Sequence, residues 1–392
     1  MSEKDEVREP TPRRYYLSAT LTAVAVAASN SFVPLYLKSL GLSYVGAGVP
    51  LVIRAMGRFS FDATSIYIMG LIRPGIVLCS GIAVTALGVL TCGLFPSAFA
   101  VNGAYLFIGV GMAAFHVTLR QIVFEMSRKG GRGRAIGILS VFIAIGPAAG
   151  ILLGGVISDH AGYRILFFSC AALIWIPFFL LYPLRDQRTD RRKNSKGNEP
   201  LYWGIVRDIF SIPGTPLLCA CSLFIFFYQQ AISLALAFYA TDSIGLSLSA
   251  YGLLRSLSQG GNMSGRYLGG HGSDRFGPAV CLVTGFLISS VGFFLFPWSR
   301  GFWPLLVVCT VIYLGLGLIN VSSQVGIMSM VRSRMRGQAI GLYRAVGDVG
   351  MFLGPLAITA SLEKMGFLWS FMWLGTLPLI FALWIFLMFP RR

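Results

Sequence analysis

The sequence predicts an all-α integral membrane protein in which twelve transmembrane helices form two pseudo-symmetric bundles of six. Three observations predict this fold. The 392-residue chain is 55% apolar and only 12% charged, whereas soluble domains carry about 25% charged residues. It divides into twelve apolar stretches, each close to the ~20 residues that a helix needs to cross a bilayer. Finally, a glycine-rich pattern in the fifth stretch is repeated in the eleventh.

The repeated pattern opens with Arg-Gly-x-Ala-Ile-Gly in both halves of the chain, at residues 132–137 and 336–341. The glycines that follow at the same spacing are Gly137, Gly146 and Gly150 in the first copy and Gly341, Gly350 and Gly354 in the second. Glycines at such intervals leave a flat groove on a helix, which lets a partner backbone approach closely within lipid. We therefore expect one six-helix unit used twice, with these glycines at helix contacts.

The basic residues are distributed unevenly along the chain. Most of the 32 Lys and Arg residues fall in the termini and in alternate loops, whereas the opposite loops carry only Lys38, Arg164, Arg300 and Lys364. Because an excess of Lys and Arg marks cytoplasmic loops, both termini are predicted to be cytoplasmic in a protein of the cytoplasmic membrane. The net charge of +17 is explained by topology, so no nucleic-acid partner is expected.

The first predicted domain, residues 1–184, is a six-span bundle that follows a short tail. Residues 1–14 are charged and lack an apolar segment with a cleavage site, so they are interpreted as a cytoplasmic tail and not a signal peptide. The first six spans are predicted at residues 15–38, 43–66, 74–95, 100–126, 134–157 and 163–184.

The second predicted domain, residues 214–392, follows a polar and basic cytoplasmic linker at 185–213. Within this linker, Leu201–Phe210 is aromatic and amphipathic but too short to span. It is interpreted either as an interfacial helix on the inner leaflet or as the start of the seventh span. The last six spans are predicted at residues 215–240, 247–270, 278–297, 302–330, 337–361 and 366–389.

A loop signature between the eighth and ninth spans carries a resemblance to a known family. The run from Gly270 to Gly277, with Asp274 and Arg275 at its centre, resembles the signature G-x-x-x-D-R/K-x-G of the major facilitator superfamily. The twelve spans and the basic central loop resemble the same family over the whole chain. The resemblance implies secondary transport by alternating access, in which the two bundles rock around a site near the membrane midplane.

The chain departs from the family pattern at two places in the first half. At the equivalent loop of the first half, residues 65–75, the acidic residue is missing. In the fourth span, Tyr105 stands where the family's arginine would precede Gly109-Val-Gly111, which argues against a proton-coupled drug exporter. We also expect a conformational latch on the cytoplasmic side, because Asp274 should face the amino end of span five. The expected latch residues are Arg132, Arg134, Asp274 and Arg275.

Polar side chains inside apolar spans are the candidate functional residues, because a charge in hydrocarbon is costly unless it faces a cavity or a partner. The resemblance implies that spans one, four, seven and ten line the cavity. Asp348, four residues from Arg344, is the candidate for proton coupling. The candidates for substrate binding are Arg54, His116, Arg120, Gln229, Gln230, Arg255, Asn320, Gln324 and Arg344.

Structural interpretations compete with these functional ones. Arg58 and Asp62 are one helical turn apart and are predicted to form a structural ion pair. Arg344 and Asp348 either form a similar pair or serve coupling together. Arg120 either lines the cavity or extends its charge to the membrane surface. His116 is more simply a satisfied interior histidine, and the four amides either bind solute or tie helices together.

The same inventory excludes several classes of protein. Three histidines and seven cysteines without paired spacing indicate neither a metal site nor a disulfide framework. No phosphate-binding loop or catalytic grouping is found, so an enzyme, a cofactor and ATP-driven transport are not expected. We expect a monomer in the lipid bilayer that moves a small solute.

Unpaired arginines favour an anionic or amphiphilic anionic solute, moved by symport or antiport, with protons as one option for the coupling ion. The second interpretation is a proton-coupled exporter of apolar compounds. A third, from another class, is a non-transporting membrane receptor or assembly partner.

Overall fold

The computed structural model describes residues 13–127, 132–185, 207–332 and 336–388, and these parts are almost wholly helical. The first six helices are α1 Arg13–Ser39, α2 Tyr44–Leu71, α3 Pro74–Leu94, α4 Ala98–Met126, α5 132–161 and α6 163–181. The second six are α7 Thr215–Phe238, α8 Leu248–Phe276, α9 Pro278–Leu295, α10 Phe302–Met330, α11 336–365 and α12 367–388.

Two glycines separate helices that are otherwise continuous. Gly162 has φ 82° and Gly366 has φ 72°, a left-handed conformation that residues with a Cβ rarely adopt. At these two residues the chain therefore breaks between α5 and α6 and between α11 and α12. The corresponding predicted spans five and eleven end at residues 157 and 361. Serines cap three other helices: the Oγ atoms of Ser43, Ser97 and Ser247 accept from backbone N–H groups at the starts of α2, α4 and α8.

The helices are long and apolar enough to cross a membrane, with two instructive exceptions. Eight continuous helical segments of the described residues pass by length and composition, and two of these contain the breaks at Gly162 and Gly366. The exceptions are α2 and α8, which carry charged and polar side chains in their interiors. Outward-facing apolar side chains, such as Phe99 at 91% exposure, suit a lipid environment. The predicted fold class is confirmed.

The two halves repeat one another with a constant offset of 204 residues. Helix α4 begins at 98 and ends at 126, and α10 begins at 302 and ends at 330. Packing repeats as well: α1 packs on α5 as α7 packs on α11, and α2 and α3 pack on α4 as α8 and α9 pack on α10. Each residue of the first half therefore has an equivalent 204 positions later.

The repeated glycines explain how closely these helices approach. A Cβ added at Gly150 would lie 2.1 Å from the carbonyl oxygen of Val24 in α1, and one added at Gly350 would lie 2.1 Å from that of Leu223 in α7. Gly146 and Gly354 make similar backbone contacts with α1 and α7. For these four glycines the prediction of close helix contact is confirmed.

The prediction was wrong for the first glycine of each repeat. A Cβ added at Gly137 or Gly341 would meet nothing within 4 Å. Both residues lie near the start of their helices, α5 and α11, where the partner helix no longer lies against that face. Their shared position in the motif reflects the duplicated unit and not a helix contact.

We use two names for the ends of the bundle. The distal side carries the α1–α2 loop (residues 40–43), Gly162 and Gly366, and the terminal side carries the start of α1 and the α2–α3 loop (residues 72–73). The halves meet mainly through α5 with α8 and α2 with α11. At the first of these contacts the backbones of Gly155 and Gly252 lie against each other.

The predicted linker falls largely outside the described residues. Of the predicted interfacial helix, only 207–210 are described, and these are helical. The domain boundaries at 184 and 214 therefore stay predictions.

Candidate functional site

A cluster of charged side chains lies between the two halves, on α2, α4 and α11. Its members from α2 are Arg58 and Asp62, which form the predicted ion pair with Arg58 Nε 3.5 Å from Asp62 Oδ2. The same Nε lies 3.8 Å from Oδ1 of Asp348 on α11. One guanidinium therefore holds both carboxylates and joins the first half to the second.

The contact of Asp348 corrects one of the sequence-based interpretations. A self-contained pair of Arg344 and Asp348 was one of two alternatives, but among the described residues the ion pair of Asp348 is made with Arg58. The side chain of Asp348 is only 13% exposed, whereas Arg344 is exposed. Asp348 therefore points towards α2, and Arg344 is left without a described carboxylate within 4.0 Å.

Two further polar groups of the cluster are buried without a hydrogen-bond partner among the described residues. They are Nε of Arg54 and Nδ1 of His116. Arg54 lies one turn before Arg58 on α2, and its charge interacts with Tyr105 on α4. Tyr105 occupies the position of the family's fourth-span arginine. A positive charge therefore does lie at this place, but it comes from Arg54 on α2.

Tyr105 itself is fully buried and holds α4 to α1. Its hydroxyl donates to the carbonyl oxygen of Ser29 at 3.1 Å and lies 3.1 Å from the Ser29 Oγ. Because the hydroxyl is bound in this way, Tyr105 positions α4 and leaves recognition of an anion to the neighbouring arginines.

Arg120 on α4 faces the second half of the protein. Its guanidinium lies among the charges of Arg58 and Asp62 on α2 and of Arg344 on α11. Two like charges from opposite halves thus lie within interaction range of each other. Neither guanidinium makes an ion pair within 4.0 Å with another described residue.

The cluster breaks the pseudo-symmetry of the fold. His116 and Arg120 on α4 are equivalent to Asn320 and Gln324 on α10, and the two amides bond to each other, with Gln324 Nε2 donating to Asn320 Oδ1 at 2.8 Å. The position on α5 equivalent to Asp348 is Ala144. The framework is duplicated, but the charges are concentrated on one side of it.

Arg255, another candidate for substrate binding, lies apart from this cluster. It is buried at 7% exposure on α8 and donates to the hydroxyls of Tyr313 on α10 and Ser233 on α7, the latter at 2.8 Å. The structure therefore does not bring Arg255 together with Arg54, Arg120 and Arg344. Its hydroxyl partners are neutral, and these hydrogen bonds link α7, α8 and α10 of the second half.

The two glutamines of α7 are half-buried. The Cβ of Gln230 packs 3.2 Å from the place where a Cβ of Gly354 would lie, so this residue forms part of the α7–α11 contact. Gln229, next to it in sequence, stays a prediction for solute binding.

The latch residues are only partly covered by the structure. Asp274 and Arg275 are exposed at the end of α8, and the Arg275 guanidinium lies over the Phe276 ring at 5.2 Å. The side chains of Arg132 and Arg134 lie outside the described residues, so the latch stays a prediction.

On the distal side the halves are joined by polar contacts. Lys38 at the end of α1 forms an ion pair with Asp242 after α7, and the Tyr44 hydroxyl donates to Asp242 Oδ2 at 3.0 Å. At the starts of α8 and α2, the backbone N–H of Ser249 donates to Asp159 Oδ2 at 3.4 Å, and that of Val45 donates to Glu363 Oε2 at 3.1 Å. These contacts close this side.

Sequence reasoning missed the role of Arg58 and Asp62 in the cluster, because an i,i+4 pair on one helix is commonly a self-contained structural feature. The signal that could have found them is the series Arg54, Arg58, Asp62, which repeats every four residues and places three charges on one face of α2. Among the described residues, no group of three or more His, Cys, Asp or Glu side chains is arranged to hold a metal ion.

Comparisons with known proteins agree with this architecture. The chain is 26% identical over 368 residues to the multidrug resistance protein MdtG of Klebsiella pneumoniae (strain 342), covering 90% of this chain and 87% of that protein. It is 24% identical over 331 residues to the riboflavin transporter RibZ of Clostridioides difficile (strain 630), covering 70% of each. The crystal structure of the nucleoside transporter NupG superposes with a TM-score of 0.80 at 13% identity, covering 97% of this chain and 99% of that one.

The family model described as the Major Facilitator Superfamily matches residues 15–355 and again residues 218–392. The second match begins at the first helix of the second half, as expected for a duplicated unit. The match and the relatives make this chain an integral membrane transporter and not an enzyme. The chain belongs to the major facilitator superfamily.

Proposed function

We propose that the protein is a secondary active transporter that moves a small anionic, or amphiphilic anionic, solute across the cytoplasmic membrane by alternating access. The observation that carries this proposal is the surplus of positive charge between the halves. Arg54, Arg120 and Arg344 have no ion pair within 4.0 Å among the described residues. A guanidinium binds carboxylate or phosphate through two parallel hydrogen bonds.

The physical reason is the cost of an uncompensated charge in a membrane. Even the lowest estimates place an arginine at the centre of a lipid-facing helix at about 2.5–3.5 kcal/mol. Three such residues on facing helices are favourable only where water or an anion meets them. Polar contacts of Lys38, Asp159 and Glu363 link the halves on the distal side. A solute would therefore enter this site from the terminal side, which the charge pattern predicts to be cytoplasmic.

Asp348 is the proposed coupling group. Its side chain contacts Arg58 of the other half, so protonation of Asp348 would weaken one of the links between α2 and α11. A solute held by Arg344 would change the charge next to Asp348 at the same time. Both events act on one contact, which is a physical route by which proton and solute movements are coupled.

A second candidate, export of apolar compounds, is favoured by the similarity to MdtG, a protein named for multidrug resistance. The two proposals differ in the charge of the solute. A cluster with four arginines and two aspartates would repel cationic drugs. A neutral drug would displace water from these charges without making an ionic contact in its place.

A thermal-shift screen of the purified protein separates the two proposals, since a ligand of the folded state stabilises it by about 2.7 kcal/mol at a hundredfold excess over Kd. Small carboxylates and organophosphates are compared with neutral and cationic drugs of similar size. We expect anions to raise the melting temperature and the shift to be lost in Arg344→Gln. Stabilisation by neutral or cationic drugs alone would favour the exporter.

A further inference from the structure

We infer that Arg255 holds a small monovalent inorganic anion, of the size of chloride, inside the second half of the protein. The site lies between α7, α8 and α10 and is separate from the charged cluster of α2, α4 and α11. The ion is a resident ligand of the second half and takes no part in solute recognition. The inference therefore goes beyond the proposed function, and each can fail without the other.

The first observation is a buried positive charge without an opposite charge beside it. Arg255 is only 7% exposed, and no carboxylate of the described residues lies within 4.0 Å of it. Its hydrogen bonds go to two neutral hydroxyls, those of Tyr313 on α10 and Ser233 on α7. Hydroxyls satisfy N–H donors but do not neutralise a guanidinium, and an uncompensated buried charge is strongly unfavourable. A bound anion would supply the missing charge.

The second observation is a pair of donors that no described residue uses. The Nε of Arg255 and the hydroxyl of Tyr251 are both buried without a hydrogen-bond partner among the described residues. Tyr251 is 0% exposed and lies one turn before Arg255 on α8, a spacing that places two side chains on the same face of a helix. The two groups interact electrostatically, each with the other. Two unused donors beside one buried positive charge make a donor set for an anion.

The third observation comes from the equivalent place in the first half. Ser233 is equivalent to Ser29, and Cys309 of α10 is equivalent to Tyr105 of α4. In the first half Tyr105 bonds Ser29 directly and joins α4 to α1 without any charge. In the second half Cys309 has a shorter side chain, and Arg255 makes the bond to Ser233. Because a neutral pair joins the helices in the first half, the need for a helix contact does not explain a buried arginine in the second.

The burial of the site limits the size of the ion. Tyr251 and Tyr313 are almost fully buried, as is Cys309, one turn before Tyr313 on α10. An organic carboxylate or phosphate ester would have to displace one of these side chains. A halide is a single atom, accepts hydrogen bonds from any direction and carries the one negative charge that neutralises Arg255. The site therefore favours chloride or bromide over bulky anions such as gluconate.

The first experiment compares the stability of the purified protein in three potassium salts. Melting temperatures are measured in chloride, bromide and gluconate at constant ionic strength, because a ligand of the folded state raises stability by mass action. We expect a saturable rise in chloride and bromide over gluconate, which Arg344→Gln keeps and Arg255→Gln loses. Equal melting in all three salts would overturn the inference. A halide effect that Arg255→Gln keeps and Arg344→Gln loses would place the ion in the charged cluster and would also overturn it.

A carboxylate supplied by the protein itself gives a second test, which does not depend on the folding of Arg255→Gln. The Oγ of Ser233 lies 2.8 Å from Nη2 of Arg255, so Ser233→Asp places a negative charge next to the guanidinium. Ser233→Asn is the matched neutral control. We expect Ser233→Asp to melt at the same temperature in gluconate and in chloride, and Ser233→Asn to keep the chloride effect. A full chloride effect in Ser233→Asp would contradict the site.

The third experiment separates a bound ion from a buried phenolate of Tyr251 as the partner of Arg255. If the Tyr251 hydroxyl donates to the ion, Tyr251→Phe should weaken the binding of chloride about tenfold, as measured by its concentration dependence in the melting assay. The ultraviolet spectrum of the unmodified protein at neutral pH should then contain no phenolate band. A phenolate band that disappears in Tyr251→Phe, with tighter chloride binding in that variant, would show that Arg255 is already neutralised by the protein and would overturn the inference.

Discussion

Lys38 and Asp242 occupy equivalent positions in the two halves, 204 residues apart, and they form an ion pair with each other. A contact between equivalent positions lies on the pseudo-twofold axis of the molecule. Two further contacts are related by the same axis: Asp159 accepts from the backbone of Ser249, and Glu363 accepts from the backbone of Val45. The distal side is therefore closed by one contact on the axis and a symmetric pair beside it.

The axial pair should contribute little to stability but should bias the distal side towards the closed state. Both side chains are about 30% exposed, and exposed ion pairs are worth roughly 0–1 kcal/mol. We expect Lys38→Asp to raise the rate at which a thiol reagent modifies a cysteine placed at Ser249 by a few fold, with little change in melting temperature. The double variant with Asp242→Lys should restore the slow rate, and failure to restore it would argue against a direct role for the pair.

The contact of Asp159 with the start of α8 should be insensitive to mild acid. Hydrogen bonds from the residues at the start of α8 lower the pKa of Asp159 from its usual value. A carboxyl with a lowered pKa stabilises the folded state above its unfolded pKa and loses that contribution only as the pH falls through its lower folded value. Accessibility of a distal cysteine should therefore be constant between about pH 5 and 8.

The matched variants for this contact are Asp159→Asn and Glu363→Gln, which remove one equivalent charge each. We expect each to increase distal accessibility, because the helix N-terminus favours an anion, and the double variant to do so more than either. An increase in accessibility between pH 8 and pH 5 in the unmodified protein would show that another group controls the distal side.

The glycine contacts predict a large difference between neighbouring glycines of one motif. Gly150→Ala would place a methyl group 2.1 Å from a backbone oxygen of α1, whereas Gly137→Ala meets open space. Overpacking of this kind costs about 1–3 kcal/mol. Gly150→Ala, and Gly350→Ala with its 2.1 Å contact to the α7 backbone, should therefore lower the melting temperature clearly. Gly137→Ala and Gly341→Ala are the controls and should melt like the unmodified protein. Equal melting of all four variants would contradict the packing described here.

The fold could be predicted from the sequence because its signals are local. Apolar length, the alternation of basic loops and the repeated glycines each depend on a few neighbouring residues, and together they predict twelve helices. The predicted gaps at 158–162 and 362–365 lie at or beside the breaks at Gly162 and Gly366. The role of Gly137 could not be predicted this way. Whether a glycine faces a partner helix depends on where that partner ends, which is a property of the packed bundle.

The candidate site was predictable in part for a similar reason. Arginines inside apolar spans are recognisable in sequence because membrane spans rarely contain them, and Arg54, Arg120 and Arg344 were found in this way. Their partners could not be assigned, because a one-turn spacing favours a local pair while the bundle offers a distant one. Thus an ion pair of Asp348 with Arg344 was one of two alternatives, but Asp348 contacts Arg58 on the other half. Arg255 was grouped with the others because residue type alone does not reveal its hydroxyl partners.

The Arg58–Asp348 contact predicts how the three variants Arg58→Gln, Asp348→Asn and their combination behave. Removing Arg58 leaves two carboxylates without a partner. It should destabilise the protein chiefly through Asp348, which at 13% exposure would be left as an uncompensated charge with little access to water. Asp348→Asn should be milder, because Arg58 keeps Asp62. If Asp348 couples transport to protons, Asp348→Asn should also bind solute normally and lose the pH dependence of uptake.

The control for this set is Arg344→Gln, which removes a charge near Asp348 without removing its ion-pair partner. It should melt like the unmodified protein and bind anions more weakly. A double variant of Arg58 and Asp348 that recovers both stability and pH-dependent uptake would leave Asp348 a purely structural role.

The central claim, that surplus arginines between the halves bind and move an anion, is tested most directly by solid-supported membrane electrophysiology of the protein in liposomes. An anion found in the thermal-shift screen is applied as a concentration jump to the unmodified protein, to Arg120→Gln and to Arg344→Gln. The control is Arg300→Gln, a variant of an exposed loop residue outside the cluster. The account predicts a transient displacement of negative charge in the unmodified protein and the control, reduced at least about tenfold in both cluster variants. Currents of equal size in all four proteins would contradict it.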